Sequence, residues 1–324
     1  MSPGCASSRR LSGSLVAKMM LILIVQFCPT LALLWTTSAW AQGTNAKPPS
    51  GQNATLREAG SAKNVIIGAA TDRRHLREAA YASTLAAEFR ELEPENQMKL
   101  GPIHPHLGTD AFAYDFSPAD ELVRFAQQHN MLVRGHCFVW HEQVAGWVTE
   151  GVANRTYDAA ALSQILQNHI STVAKHFAGN VWAWDVVNEA FKDDGAMRST
   201  VWYDTPGIGF AGKGTAYIEQ ALRWAHTADP GTKLFYNDYD SETINAKSDA
   251  IYAMAKDSRS RSVPLDGIGL QMHINLSFNE PKTLNSFAAN LKRFSDLGMD
   301  IHITEFDVAL DSDDPTSLAA QGDV

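Results

Sequence analysis

The chain has 324 residues, of which 45% are hydrophobic and 19% charged, and it carries a formal net charge of −9. A chain of this length and composition can bury a sizeable core, which excludes an intrinsically disordered, collagen-like or coiled-coil protein. Its 36 acidic residues outnumber 27 basic ones, and no lysine- and arginine-rich run concentrates positive charge, so we expect no nucleic-acid partner. The length fits a single (β/α) barrel, which commonly takes about 250 residues.

Residues 1–41 have the layout of a secretory signal peptide. Two arginines and one lysine accompany an apolar run from Met19 to Leu34, and a small-residue cleavage site ends at Ala41. The run is shorter than the roughly 20 residues that a membrane-spanning helix needs, which favours cleavage over an anchor. Cleavage would remove three positive charges and no negative one, so that the net charge moves from −9 to −12, and Cys137 would be the single cysteine left. We therefore expect a secreted protein without a membrane attachment or an intramolecular disulfide.

Strands and helices are predicted to alternate over residues 63–324, after a flexible lead-in over residues 42–62. Short apolar runs occur seven times, separated by segments such as Leu162–Phe177, whose apolar residues recur at about 3.6-residue spacing. This alternation indicates a parallel sheet, and the absence of a G-x-G-x-x-G motif after the first strand favours a barrel over an open sheet. The predicted strands are Val65–Ala70, Glu91–Pro94, Met131–Val139, Val181–Val187, Lys233–Asn237, Gly267–Met272 and Asp300–Thr304.

Two of the predicted strands end in glutamates, Glu189 and Glu305. Reacting groups in a (β/α) barrel lie at the carboxyl ends of the strands, so we expect these two side chains to face each other. A pair of carboxyl groups in different environments is the minimum equipment for glycoside hydrolysis, in which one group donates a proton and the other attacks or activates water. Either glutamate alone is equally compatible with a salt bridge or a metal site.

Polar and aromatic side chains cluster at the ends of the other strands. Such a mixture suits a sugar, which offers hydroxyl edges and apolar ring faces, although each side chain could instead satisfy its neighbours at the rim of a barrel. The segment His104-Pro105-His106 is interpreted as a rim loop because no carboxylate-rich set accompanies it, and we expect no metal and no cofactor. The clustered residues are Glu95, Asn96, Lys99, His136, Trp140, His141, Gln143, Asn237, Tyr239, Gln271 and His273.

Six segments of the chain resemble, in order, the motifs of the family-10 glycoside hydrolases, chiefly endo-1,4-β-xylanases. Together they cover about residues 63 to 310. The resemblance implies a (β/α)8 TIM barrel and a retaining mechanism that acts on xylan or xylo-oligosaccharides. The segments are 93–99, 133–141, 184–189, 236–239, 269–273 and 303–307.

The resemblance also implies a role for each matching residue. Glu189 would be the general acid/base and Glu305 the nucleophile. Asn188 and His136 would contact the sugar that is cleaved, and His273 would keep Glu305 ionised with Gln271 nearby. Glycone-side sugars would bind Glu95, Asn96, Lys99, Gln143 and the ring face of Trp140; Tyr239 is a candidate on the aglycone side, and Asp307, His141 and Asn237 would support the site from behind.

The resemblance is incomplete at the carboxyl terminus. Family members continue past the nucleophile strand with a helix, an eighth strand that carries aromatic residues, and a closing helix, whereas this chain ends at Val324. The polar tail 311–324 is predicted at most to begin that helix. We therefore expect a barrel that is truncated before its eighth strand, and, for the chain by itself, low stability and little activity because two strand edges lack partners.

Three alternative functions remain open. The same fold could act on other β-1,4-glucans. A metal-dependent barrel isomerase or hydrolase would need clustered histidine and carboxylate ligands at the strand ends. A truncated, non-catalytic sugar-binding barrel would keep both glutamates without turning over substrate. In each case we expect a monomer.

Overall fold

The computed structural model describes residues 54–110 and 112–324, together with the backbone of residues 20–25. Strands and helices alternate along these residues as predicted. The strands are β1 Met20–Val25, β2 Val65–Thr71, β3 Glu91–Pro94, β4 Leu132–Val139, β5 Ala183–Asn188, β6 Lys233–Asp238, β7 Gly267–Leu270, β8 His273–Asn275 and β9 Asp300–Ala309. The α-helices are α1 Leu56–Ser61, α2 Ala79–Glu88, α3 Leu100–Ile103, α4 Ser117–Gln128, α5 Gly146–Ala153, α6 Ala159–His176, α7 Ala216–Ala228, α8 Ala246–Ser260, α9 Pro281–Asp296 and α10 Pro315–Asp323.

The strands form a closed ring in which neighbours follow chain order. Strands β2 to β7 and then β9 pair in parallel, and these are the seven strands that the sequence predicts. The prediction of a (β/α)8 barrel is confirmed. Where an eighth parallel strand would lie, the antiparallel strand β1 pairs with both β2 and β9. Since β1 falls within the predicted signal peptide, cleavage of that segment stays a prediction.

Helices cover the outside of the ring because each presents one apolar face to it. Helix α6, for example, buries Leu162, Leu166, Ile170 and Val173 completely. The strands are buried between these helices outside and packed side chains inside, and several of them also bury charged residues, such as Glu91 on β3, Arg134 on β4 and Asp185 on β5. Close packing demands a glycine at position 135 in β4, since a Cβ there would lie 2.2 Å from the ring of Trp184.

Two local predictions are wrong. The lead-in is shorter than predicted, because Thr55 and Glu58 form a capping box that starts α1 within it. The order Ser117-Pro118-Ala119-Asp120 predicts a helix with a capping serine, but helix α4 begins without a side-chain cap. The hydroxyl group of Ser117 donates to Asp115 instead, at 2.5 Å. Within the described part of the chain, helices are too short or too polar to cross a membrane.

The buried histidine His169 is expected to lower the stability of the folded protein in acid. It lies in α6 with neither ring nitrogen hydrogen-bonded to a described residue. Burial and the nearby His104 lower its pKa from 6.5 to about 3. Below about pH 6.5 the unfolded chain binds a proton at His169 that the folded chain does not, so the contribution of His169 to the free energy of unfolding should fall by about 1.4 kcal/mol per pH unit as the pH drops.

We expect His169→Phe to remove this one-proton slope when urea unfolding is compared between about pH 6.5 and about pH 4.5. The substitution keeps an aromatic ring in the stack with His104 and Tyr114. The exposed His226, changed to Phe as a control, should leave the slope unaltered. An unchanged slope in the His169 variant would contradict the prediction.

Candidate active site

The carboxyl group of Glu189 lies directly after β5, and its side chain is 13% exposed. One of its oxygens accepts a hydrogen bond from Trp140 Nε1 at 2.8 Å. The other accepts from Gln271 Nε2 at 3.0 Å and from Asn188 Nδ2 at 3.2 Å. All three donors are neutral. The predicted neighbour His141 lies farther away, with Nδ1 3.9 Å from the carboxyl group.

The carboxyl group of Glu305, on β9, has a different environment. It accepts from Asn237 Nδ2 at 2.9 Å and lies 3.3 Å from His273 Nε2. Burial by itself would raise the pKa of Glu305, but the hydrogen bond from His273 and the positive charges of His136 and His273 outweigh it, so the pKa is lowered. The hydrogen bond to Glu305, opposed by burial and helped by Asp307, raises the pKa of His273 to about 9. His273 is therefore a cation at neutral pH.

An amide network joins the two glutamates across the mouth of the barrel. Asn237 Nδ2, which bonds to Glu305, also donates to Asn188 Oδ1 at 2.9 Å, and Asn188 in turn contacts Glu189. Thr304 Oγ1 donates to Asn237 Oδ1 at 2.7 Å and fixes the orientation of this amide. The sequence predicts Asn237 behind the site; the residue is fully buried, and its amide contacts the carboxyl group of Glu305.

Four of the predicted glycone-side residues form one cluster. Asn96 Oδ1 accepts from Lys99 Nζ at 3.2 Å and from Gln143 Nε2 at 2.9 Å. The ammonium of Lys99 lies 4.6 Å from the centre of the Trp140 ring. Glu95 lies beside them without a side-chain hydrogen bond to any described residue. These groups form a polar floor with one indole face next to Glu189.

His136 sits beneath this surface in a buried group of charges. It is 5% exposed, and its Nδ1 is 3.0 Å from Asp185 Oδ2 and 3.6 Å from Glu93 Oε1. These three residues are close enough together to hold a metal ion, but Arg134 already forms an ion pair with the carboxylate of Asp185. The strand-end pattern predicts no role for Arg134, Asp185 and Glu93. All three are charged residues inside strands that are predicted to be buried, and this pattern could have identified them as candidates for the site.

Two buried glutamates on β3, Glu91 and Glu93, are expected to lower the stability of the folded protein as the pH rises. They are 0% and 3% exposed. Burial, partly offset by Arg134 and a hydrogen bond from Trp182, raises the pKa of Glu91 from 4.5 to about 7. Burial likewise raises the pKa of Glu93. Between about pH 4.5 and about pH 7 the folded chain keeps protons on these glutamates that the unfolded chain releases, so their contribution to the free energy of unfolding should fall as the pH rises.

We expect Glu91→Gln to increase the free energy of unfolding at about pH 8 by about 2–3 kcal/mol, with a much smaller gain at about pH 4.5. Glutamine keeps the oxygen that accepts from Trp182 Nε1 and carries no charge. Denaturant unfolding at both pH values measures the difference, with the exposed Glu150→Gln as control. Equal gains at the two pH values would show that folding does not raise the pKa of Glu91.

Residues on the other side of the cleft follow β6 and β7. The hydroxyl group of Tyr239 accepts from Arg198 Nη2 at 2.9 Å, and Asp307 lies 2.5 Å from His273 Nδ1. Beyond His273 is a cavity of about 370 Å³. Its lining includes Asp193, Asp240, Glu242, Asn275 and Phe278. The predicted site residues therefore come together in one cleft, with His136 and Asn237 deeper than Trp140 and Tyr239.

Comparisons with known proteins agree with this geometry. Residues 55–323 match the model of glycosyl hydrolase family 10. Endo-1,4-beta-xylanase B of Thermotoga neapolitana is 45% identical over 227 residues, which are 70% of this chain and 60% of that protein. Beta-1,4-xylanase of Dictyoglomus thermophilum is 42% identical over 246 residues, 75% of this chain and 63% of that protein. The chain thus spans less than two thirds of each of these two relatives.

A solved structure supports the same assignment. Xylanase 10B of Thermotoga petrophila, crystallised in complex with xylobiose, superposes with a TM-score of 0.76 and 42% sequence identity. The superposition covers 85% of this chain and 80% of that one. With a family model that matches most of the chain, and with the strand-end glutamates in one cleft, the chain belongs to glycosyl hydrolase family 10.

Proposed function

We propose that the chain is a retaining endo-1,4-β-xylanase that hydrolyses internal bonds of xylan by double displacement. The observation that carries the proposal is the pair of carboxyl groups of Glu189 and Glu305, which share one amide network and differ in charge environment. Glu305 faces the imidazolium of His273, whereas Glu189 is held by neutral donors. Acid and nucleophile need such a difference, because one must carry a proton while the other is charged.

In the first step, the carboxylate of Glu305 attacks the anomeric carbon while Glu189 protonates the departing glycosidic oxygen. The products are a glycosyl ester on Glu305 and the free aglycone. Glu189, having given its proton to the aglycone, is then a carboxylate. In the second step that carboxylate takes a proton from water, the water attacks the anomeric carbon, and Glu305 leaves as a carboxylate.

The surrounding side chains suit binding of a sugar chain along the cleft. The cluster of Asn96, Lys99 and Gln143 offers hydrogen-bonding groups for hydroxyls on the glycone side, next to the face of Trp140. Asn188 supports the transition state by a hydrogen bond to the 2-hydroxyl group, which strengthens as positive charge develops on the ring. Tyr239 would meet the sugar on the aglycone side.

Xylan is the proposed substrate because the relatives are named xylanases and the superposed structure of Thermotoga petrophila holds xylobiose. We also propose that the protein is exported, on the basis of the basic and apolar leader in residues 1–41.

Trapping of the covalent intermediate tests the proposal. The full chain is treated with 2,4-dinitrophenyl 2-deoxy-2-fluoro-β-xylobioside, digested and analysed by mass spectrometry. We expect one equivalent of fluoroxylobiosyl ester on Glu305, and faster hydrolysis of xylan than of carboxymethylcellulose. If xylan is hydrolysed normally but no label is found, the double displacement is contradicted. Faster hydrolysis of carboxymethylcellulose than of xylan would indicate another β-1,4-glucan as the substrate. Loss of activity with a chelator would favour metal-dependent chemistry instead.

A further inference from the structure

The backbone of Glu189 adopts a left-handed conformation, with φ of +56°. A non-glycine residue pays a steric penalty of about 1–2 kcal/mol in this region, so neighbouring contacts must hold it there. Its amide N–H donates to the carbonyl group of Asn237 at 2.9 Å. Its own carbonyl oxygen accepts from Arg198 Nε at 3.0 Å. Both peptide groups around this residue are thereby fixed, and one of the two contacts comes from a side chain.

Arg198 holds more than this one carbonyl group. Its Nη2 also donates to the carbonyl oxygen of Phe191 at 3.3 Å and to the hydroxyl group of Tyr239 at 2.9 Å. A guanidinium is planar and rigid, so three acceptors bound to it are held in a fixed relation to one another. The half-buried Arg198 therefore links the backbone carbonyl groups of Glu189 and of Phe191, two residues later, to an aromatic ring in the cleft.

That ring is itself held from below. The ammonium of Lys247 lies 3.2 Å from the centre of the Tyr239 ring and 2.9 Å from Asp238 Oδ1. Lys247 is 1% exposed, whereas Tyr239 is half-buried and keeps part of its surface open to the cleft. A cation against a ring face stabilises it by about 0.5–2 kcal/mol. The position of Tyr239, and through it the position of the Arg198 fork, is thus fixed by buried contacts.

We propose that Arg198 is a positioning residue for the general acid/base: its guanidinium fixes the left-handed backbone of Glu189 and ties it to Tyr239, so that the carboxyl group meets the oxygen of the departing sugar. This inference rests on the proposed function. The proposed role concerns the acid/base and not the nucleophile, because Arg198 contacts the backbone of Glu189 and, among the described residues, has no contact with Glu305. Its loss should therefore impair proton donation and leave nucleophilic attack intact.

The test compares two leaving groups in Arg198→Met. With xylotetraose or phenyl β-xylobioside, which need protonation, we expect kcat/KM to fall by about 10- to 100-fold, as for a catalytic group displaced by about an ångström. With 2,4-dinitrophenyl β-xylobioside, which leaves without protonation, we expect kcat/KM within about threefold of the unsubstituted protein. Lys192→Met is the matched control, since Lys192 is an exposed cation on the same loop, and it should change neither value.

Two further variants sharpen the outcome. Arg198→Lys keeps the charge but cannot reach three acceptors with one nitrogen, so it should remain impaired on poor leaving groups; full activity would overturn the proposal. Tyr239→Phe removes one acceptor and keeps the ring and the arginine. Its kcat/KM should fall by about two- to fivefold, only for substrates with poor leaving groups. This variant tests the proposal if Arg198→Met fails to fold.

Failure of this inference is distinguishable from failure of the proposed function. Glu189→Ala must itself show a loss confined to poor leaving groups; if it does not, the acid/base assignment is wrong whatever Arg198 does. If Glu189→Ala behaves as expected while Arg198→Met loses activity equally on both leaving groups, Arg198 has only a structural role. A leaving-group-dependent loss in both variants supports the inference.

Discussion

Glu305→Gln should reduce xylan hydrolysis by on the order of 10⁴-fold or more, because the substitution removes the nucleophile that forms the covalent intermediate. Glutamine has nearly the same shape and can still accept from Asn237 Nδ2, so the fold around β9 should be retained. The fluoroxylobioside label should disappear with the activity. Hydrolysis of xylan and mass spectrometry of the labelled protein measure the two effects.

A titration of His273 gives this prediction a second readout. The hydrogen bond to Glu305 is the largest cause of its raised pKa of about 9. Neutralising position 305 should therefore move the His273 titration, followed by NMR, to lower pH. The exposed Glu280, changed to Gln, is the matched control and should alter neither activity nor titration. Retention of more than about a tenth of the activity would exclude Glu305 as the nucleophile.

Glu189→Ala should slow substrates with poor leaving groups by about 10²- to 10⁴-fold, the usual contribution of a general acid. For 2,4-dinitrophenyl β-xylobioside, kcat/KM should change little, because this leaving group needs no proton. Hydrolysis of the glycosyl ester should become slow, since no base activates water. Steady-state kinetics on a series of aryl xylobiosides measures these differences.

Added azide should rescue the second step of this variant. Removal of the carboxyl group leaves Trp140 Nε1, Gln271 Nε2 and Asn188 Nδ2 without their acceptor, and creates space that a small anion can fill. Azide needs no base, and attack on the face opposite Glu305 gives β-xylobiosyl azide. The absence of rescue, or an α-configured product, would contradict the assignment of Glu189.

Much of the site was predictable from sequence because the reacting groups of a (β/α) barrel lie at the carboxyl ends of its strands. Buried strands are local apolar runs, and the residue that follows such a run lies at the mouth of a barrel, so Glu189 and Glu305 could be located without coordinates. The seven parallel strands were predictable for the same reason. The small-residue and polar composition of residues 42–62 was a poorer guide, because the capping box of Thr55 and Glu58 starts a helix there.

Other features depended on contacts between residues far apart in the chain. The amide of Asn237 bonds to Glu305, 68 residues later, and no local pattern in the sequence indicates that contact. The strand that lies between β2 and β9 comes from residues 20–25, which the sequence assigns to a leader. Pairing at a sheet edge depends on which segment reaches it, and local composition carries no information about that.

The sequence by itself determined the family, the barrel and the placement of two glutamates at strand ends, because short motifs and strand periodicity are local properties of the chain. Only the tertiary structure decided how those glutamates are held. Packing across β5, β6, β8 and β9 produces the left-handed backbone of Glu189, the three acceptors of Arg198 and the imidazolium beside Glu305. A difference in charge environment depends on distances and burial, which exist only once the chain is folded.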